Sequence, residues 1–223
     1  MSGKFNSVIF GLDGTLIDSA PGILQSFAVA FEKNGITPRL PWSTALIGPP
    51  LHEIISMQCG SQDSTLLELI KAAFIDSYDS EGFRLSTPFS GIQTMLEKLS
   101  SKNIKLFIAT NKRIKPTQYI LSHLNWRSKF QGVFGIDSIA SPQTFDKNTV
   151  IQHITSQFKL SYKRTLYVGD RYEDYQAATA AGIDFALAAW GFGEAECLIP
   201  SSTLRMKSGE ELCAIFEGTT CNT

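Results

Sequence analysis

Ser7-Val8-Ile9-Phe10-Gly11-Leu12-Asp13-Gly14-Thr15-Leu16-Ile17-Asp18-Ser19 is the stretch on which the reading of the fold turns. Its opening run is short, apolar and β-branched, and glycines and carboxylates follow at once. That pattern predicts a buried strand running into a turn that presents acidic side chains. Gly14 lets the backbone turn tightly beside a ligand, and Asp13 puts a carboxylate at the strand end. An Asp-Gly-Thr tripeptide by itself is an ordinary turn sequence. Its weight comes from what surrounds it.

Outward from this strand, short apolar runs alternate with longer helical patterns. Further strands are expected at Lys105 to Ala109, Gly132 to Gly135, Thr165 to Val168 and Phe185 to Ala188. Between them, Ile92, Met95, Leu96 and Leu99 recur at helical spacing, as do Val150, Ile151, Ile154 and Phe158. Pro116 is expected to open a helix from Thr117 to about Leu124. An Ala-rich helix after Asp174 ends at Gly182, a left-handed cap. Alternation of this kind predicts an α/β fold, a Rossmann-like three-layer parallel sheet covered by helices.

Residues 19–87 break the alternation with helical stripes and no convincing strand. Ile23, Leu24, Phe27, Ala28 and Phe31 form one stripe, and Leu66, Leu67, Ile70, Phe74 and Tyr78 another. We read them as a helical cap subdomain over the C-terminal ends of the strands, where open α/β sheets bind ligands. Residues 1–18 and 88–223 then make up the core domain.

Composition narrows the function classes. A formal net charge of −1 over 223 residues leaves no basic field for nucleic acid or an anionic membrane. No run approaches the roughly 20 apolar residues of a membrane span, and the N-terminus lacks the pattern of a signal peptide. Cys59, Cys197, Cys213 and Cys221 show neither metal-ligand nor disulfide-framework spacing. A cytoplasmic protein with free thiols and a frayed polar tail is expected.

Three more signals follow strand ends in order. Ile108-Ala109-Thr110-Asn111-Lys112 offers a hydroxyl and N–H groups to a phosphate oxygen. Lys147 stands before the helix that contains Val150 and Ile154, where a compact cation would neutralise phosphate charge. Val168-Gly169-Asp170-Arg171-Tyr172-Glu173-Asp174 sets two carboxylates four residues apart, an oxygen-rich pattern suited to Mg²⁺. Asp174 also suits the N-cap of the following helix.

Together these segments resemble the haloacid dehalogenase superfamily of phosphotransferases, from about Val8 to Gly193. Leu46-Ile47-Gly48-Pro49-Pro50-Leu51, the Ala-Thr-Asn-Lys segment and Trp190-Gly191-Phe192-Gly193 resemble its phosphoglycolate phosphatases and 5′-nucleotidase-like hydrolases. The resemblance implies an aspartyl-phosphate mechanism with Mg²⁺ on a small phosphorylated metabolite. Asp13 would be the general acid and base, its main-chain carbonyl a metal ligand. Thr110 and the Asn111 N–H would bind phosphate, and Lys147 would steady nucleophile and phosphate. Asp170 would ligate Mg²⁺, and Asp174 would ligate it or hold its waters.

At Gly11, however, the family carries the nucleophilic aspartate, which also ligates the metal. Glycine offers neither function, and loss of a central catalytic group costs roughly 10⁴-fold or more. Neither Asp13 nor Asp18 is expected to substitute. Two readings follow: a phosphatase scaffold inactivated at one position, by nature or by engineering, or a natural pseudophosphatase that binds a phosphorylated ligand. Lys112 and Arg113 are placed either at the phosphate or in a solvated loop, and His52 and Arg84 facing the leaving group from the cap. His123 and His153 are assigned no catalytic role. Periodicity leaves the phosphomonoester and the oligomeric state open.

Overall fold

The computed structural model describes residues 4–139, 146–193 and 196–217; the expected polar tail and Cys221 lie outside them. Six strands form one parallel sheet: β1 (Ser7–Phe10), β4 (Lys105–Ala109), β5 (Gly132–Phe134), β6 (Thr165–Gly169), β7 (Asp184–Ala188) and β8 (Leu204–Met206). Their order is β5-β4-β1-β6-β7-β8. This is the α/β layer architecture expected. The chain runs from β1 outward to β4 and β5, then returns to the other side of β1 for β6, so the direction of winding reverses beside β1. Such a switch point opens a crevice above the carboxyl ends of the strands.

Alternation along the strands divides the core in two. Val8, Phe10, Leu106, Ile108, Leu166 and Val168 face one cluster. Ile9, Phe107, Ala109, Tyr167, Phe185 and Leu187 face the other. The period-2 side-chain geometry of a strand buried on both faces produces this split. Helices α4 (Ile92–Ser101), α5 (Ile114–His123) and α8 (Gly209–Glu217) cover the first face, and α6 (Lys147–Gln157) and α7 (Tyr172–Ala181) the second.

Two two-residue strands, β2 (Ile17–Asp18) and β3 (Thr87–Pro88), pair antiparallel. Between them lie α1 (Ala20–Lys33), α2 (Leu51–Cys59) and α3 (Ser64–Ser80). Asp63 caps α3, its Oδ1 accepting from the Thr65 and Leu66 N–H groups at 2.9 and 3.4 Å. The apolar stripes of α1 and α3 meet through Phe27 and Phe74, whose ring centroids stand 4.5 Å apart.

Several boundaries differ from the sequence expectation. Helix α5 begins at Ile114, whose N–H donates to Asp137 Oδ1 at 2.7 Å. Pro116 is therefore its third residue, still in the first turn where no N–H is required. Strand β5 stops at Phe134, because the Gly135 N–H turns to Ser138 Oγ at 2.7 Å. Strand β8 was not expected; three residues on a sheet edge with Leu204 exposed give no alternation to read. Among the described residues no helix is long and apolar enough to cross a membrane.

Candidate active site

Strand register builds the site. Phe10 pairs with Ile108 on one side and Val168 on the other, so the residues that follow the three strands emerge level with one another. Gly11 extends the ladder by one bond, donating its N–H to Val168 O at 2.8 Å. The chain then turns at Gly14, whose φ is +76°. A Cβ there would lie 2.1 Å from Asp170 Oδ2, so only glycine brings the first turn against the third.

One cavity of about 550 Å³ lies between the sheet ends and the inserted helices. Gly11, Asp13, Thr110, Asn111, Lys147, Asp170 and Asp174, all singled out from sequence, line it together. Lys112 and Arg171 join them. Lys112, Lys147 and Arg171 balance the carboxylates of Asp13, Asp170 and Asp174 in formal charge. An aspartate at position 11 would add one anion to this set.

Asp170 is buried and held from both sides. Its Oδ1 accepts from Thr15 Oγ1 at 3.0 Å and its Oδ2 from the Phe192 N–H at 2.9 Å. Burial, and then the neighbouring Asp174, push its pKa up to about 6, with the Phe192 N–H and Lys147 pulling the other way. Trp190 Nε1 donates to Thr15 O at 2.9 Å, so the Trp190-Gly191-Phe192 segment secures the first turn. Sequence reading noticed that segment only as a resemblance.

Asp174 is the third residue of α7 and not its N-cap; Arg171 occupies that position. Its Oδ2 accepts from the Asp170 and Arg171 N–H groups, both at 3.1 Å. Its Oδ1 accepts from Lys147 Nζ and, at 3.2 Å, from the Tyr167 hydroxyl. With four donors on two oxygens, Asp174 orients Lys147 and the Asp170 loop. Tyr167 is a residue of β6, as its apolar run predicts, and a Cβ on Gly11 would also stand 3.8 Å from its hydroxyl. Burial and then Asp174 drive the Tyr167 pKa well above the usual phenol value, so it stays a neutral donor.

Asp13 Oδ1 accepts from Ser19 Oγ at 2.5 Å and lies 3.1 Å from Lys112 Nζ. Lys112 also donates to the Tyr78 hydroxyl at 2.9 Å and sits 4.4 Å from that ring's centre. Burial alone would lower its pKa; the Asp13 carboxylate and Tyr78 outweigh that and hold it up at about 12. Burial in turn raises the Tyr78 pKa, against the pull of Lys112.

Lys112 is thus not in a solvated loop: it is largely buried on the wall of the same cavity, beside Asp13. Arg113 also lines the cavity and forms a forked pair with Asp79 at 2.5 and 3.2 Å. Asn111 Nδ2 donates to Gly48 O at 3.1 Å. Three consecutive residues after β4 therefore grip the inserted helical segment. The partners Gly48, Tyr78 and Asp79 are distant in sequence, so the run alone points to a phosphate-binding strand end and gives no sign of this grip.

Thr110 is buried, and its Oγ1 accepts from the Lys112 N–H at 3.2 Å. Its hydroxyl proton remains available to a ligand. Gly48 has a φ of +123°, and a Cβ on it would fall 2.3 Å from Arg171 Nε. The glycine lets this guanidinium pass beneath the inserted loop, where its Nη2 is buried with no hydrogen-bond partner among the described residues.

Of the two residues placed above the leaving group, His52 lines the cavity. Arg84 instead lies over the Phe83 ring and 3.6 Å from Glu81. Asp18 caps α1 through the Ala20 N–H at 3.0 Å. His123 and His153 stand edge-on to Phe83 and Phe134.

The family model for haloacid dehalogenase-like hydrolases matches residues 8–188. The tyrosine-protein kinase PtkA of Mycobacterium tuberculosis is 33% identical over 198 residues, 88% of this chain and 66% of that protein. The chain thus spans just under two thirds of that relative's length. A phosphoglycolate phosphatase of Xylella fastidiosa is 30% identical over 192 residues, 83% of this chain and 81% of that one. Among solved structures, a haloacid dehalogenase-like hydrolase, SP0104 of Streptococcus pneumoniae, superposes with a TM-score of 0.82 at 26% identity, covering 96% of this chain and 99% of its own. By sequence and by fold, the chain belongs to the haloacid dehalogenase-like hydrolases.

Proposed function

We propose that this site is that of a Mg²⁺-dependent phosphatase of phosphomonoesters, and that with Gly11 it binds its ligand far better than it cleaves it. One observation carries the reading. Asp13, Thr110, Lys147, Asp170 and Asp174 converge on one cavity around Gly11, the position where the nucleophilic carboxylate would stand. Phosphatases and the kinase among the relatives share a phosphoryl group as cargo, and these residues address that group.

The donor set suits Mg²⁺, which takes hard oxygen ligands and keeps several waters. Among the described residues no three His, Cys, Asp or Glu side chains form a ready ion cage. The Asp170 carboxylate and the Asp13 main-chain carbonyl would hold the ion, and Asp174 would act through water. Bound there, it would neutralise charge on the phosphate oxygens. Lys147 would add a fixed positive charge, and the Thr110 hydroxyl would donate to a phosphate oxygen.

Among the described contacts, both partners of the Asp13 carboxylate fall on Oδ1, which leaves Oδ2 to exchange a proton with the leaving-group oxygen or a water. Without a carboxylate at position 11, no phosphoenzyme forms and the two-step route closes. Removing that anion also lessens repulsion toward a phosphate dianion, which favours binding.

The pseudophosphatase reading keeps one observation of its own. A Cβ at position 11 would come 2.8 Å from Thr15 Oγ1, so the first turn has settled around glycine. Gly11→Asp separates the two readings. The backbone there is not in the left-handed region, and a Cβ requires the Thr15 hydroxyl, which donates to Asp170 Oδ1, to shift. Mg²⁺-dependent phosphate release from a monoester panel should appear; no gain on any ester leaves the latent-phosphatase reading without support.

A further inference from the structure

The two ends of the cavity differ in chemistry. At the sheet end stand the charges described above. At the other end the inserted segment contributes Phe27, Leu46, Ile47, Leu51, Ile54 and Phe74. The aromatic members form a row: Trp42 stacks on Phe27 at 5.4 Å, Phe27 meets Phe74 at 4.5 Å, and Phe74 stacks on Tyr78 at 5.6 Å. Tyr78 ends the row against Lys112, the cation paired with Asp13. An apolar wall thus leads from the depth of the inserted helices to the reacting end.

The polar residues at that end are already matched. Lys71 Nζ lies 3.0 and 3.1 Å from the two Glu68 carboxylate oxygens, and His52 is largely exposed beside Glu53. Arg113 is paired with Asp79. The Arg171 guanidinium nitrogen that has no partner among the described residues comes from the loop that carries Asp170, at the charged end. A carboxylate that a ligand carried to that end would stand among apolar side chains and cations already paired, where an unpaired charge is costly. A volume of about 550 Å³ also lies in the range that encloses whole drug-sized ligands.

We infer that the ligand is a phosphomonoester of a bulky apolar or aromatic alcohol, and that Phe27 and Phe74 select it. The inference rests on the phosphomonoester reading above and names the substrate class for that site. It sets the chain apart from a hydrolase of phosphoglycolate, whose alcohol part is small and anionic.

Calorimetric titration of the protein as it stands, with Mg²⁺, tests this using inorganic phosphate, ethyl phosphate, hexyl phosphate, 2-phenylethyl phosphate and 2-phosphoglycolate. Affinity should rise by about 10- to 100-fold from ethyl to hexyl or 2-phenylethyl phosphate, with 2-phosphoglycolate among the weakest. Phe74→Leu should remove most of the gain for the phenyl ester and leave inorganic phosphate unchanged. Ile75 lines the same end and is only partly buried, so Ile75→Lys keeps the fold testable; it should shift preference toward 2-phosphoglycolate.

In the Gly11→Asp protein, kcat/KM should follow the same order. Ethyl, hexyl and 2-phenylethyl phosphates leave as similar alkoxides, so that order reports binding and not leaving-group reactivity. Equal affinity for all esters, or tightest binding of 2-phosphoglycolate, overturns the inference while the phosphate site stands. Absence of binding by inorganic phosphate and every ester overturns both.

Discussion

The sheet-end loops and the inserted helices face each other across one cavity, and they are held by different forces. The loops after β1, β4 and β6 carry buried charges whose hydrogen bonds lock one another: Thr15 and Phe192 on Asp170, and Lys147 and Tyr167 on Asp174. The inserted segment presents an aromatic row and is clasped to the core by Asn111, Lys112 and Arg113. On the proposed reading, the first surface would address a group common to all phosphomonoesters and the second what differs among them. A change at position 11 would then remove the chemistry and leave recognition intact.

The largest effect should come from restoring the missing group. Gly11→Asp should raise phosphate release by about 10⁴-fold or more, measured as initial rates with saturating Mg²⁺. Within the inserted segment, Phe27→Ala should remove the middle of the aromatic row and cost about 3–5 kcal/mol in urea unfolding. Lys147→Ala in the Gly11→Asp background should lower phosphate release by about 10²–10³-fold, a loss on the charged surface with little effect on which ester is preferred. Asp79→Ala strands a largely buried Arg113 and should cost about 1–3 kcal/mol, seen as weaker ester binding. The smallest change, Tyr78→Phe, deletes one hydrogen bond to Lys112 and should cost about 1 kcal/mol in the same assay.

The two surfaces were not equally legible in the sequence. Buried parallel strands are continuous apolar runs, so β1, β4, β6 and β7 could be placed within a residue. The charged site was readable because each of its residues follows such a strand or opens a helix, and local order carries the signal. Edge strand β8 lacks that signal, since three residues beside solvent need no pattern.

The clasp was hidden for a different reason. Lys112 and Arg113 are ordinary loop cations until Tyr78 and Asp79, 34 residues away, meet them. Tyr78 is an apolar stripe residue by spacing, and nothing local marks its hydroxyl as the end of a cation's hydrogen bond. Arg171 is similar, because its path depends on the positive φ of Gly48 in another layer. Contacts between segments distant in sequence leave no periodicity to read.

The most direct test of the central claim compares binding and cleavage in one sample of the unaltered protein. Mg²⁺-dependent binding of a phosphomonoester is titrated by calorimetry, and phosphate released from the same mixture is then assayed. Saturable, Mg²⁺-dependent binding is expected, with phosphate release no faster than in a protein-free control. Turnover at the rate of the Gly11→Asp protein, or no binding at all, would contradict it.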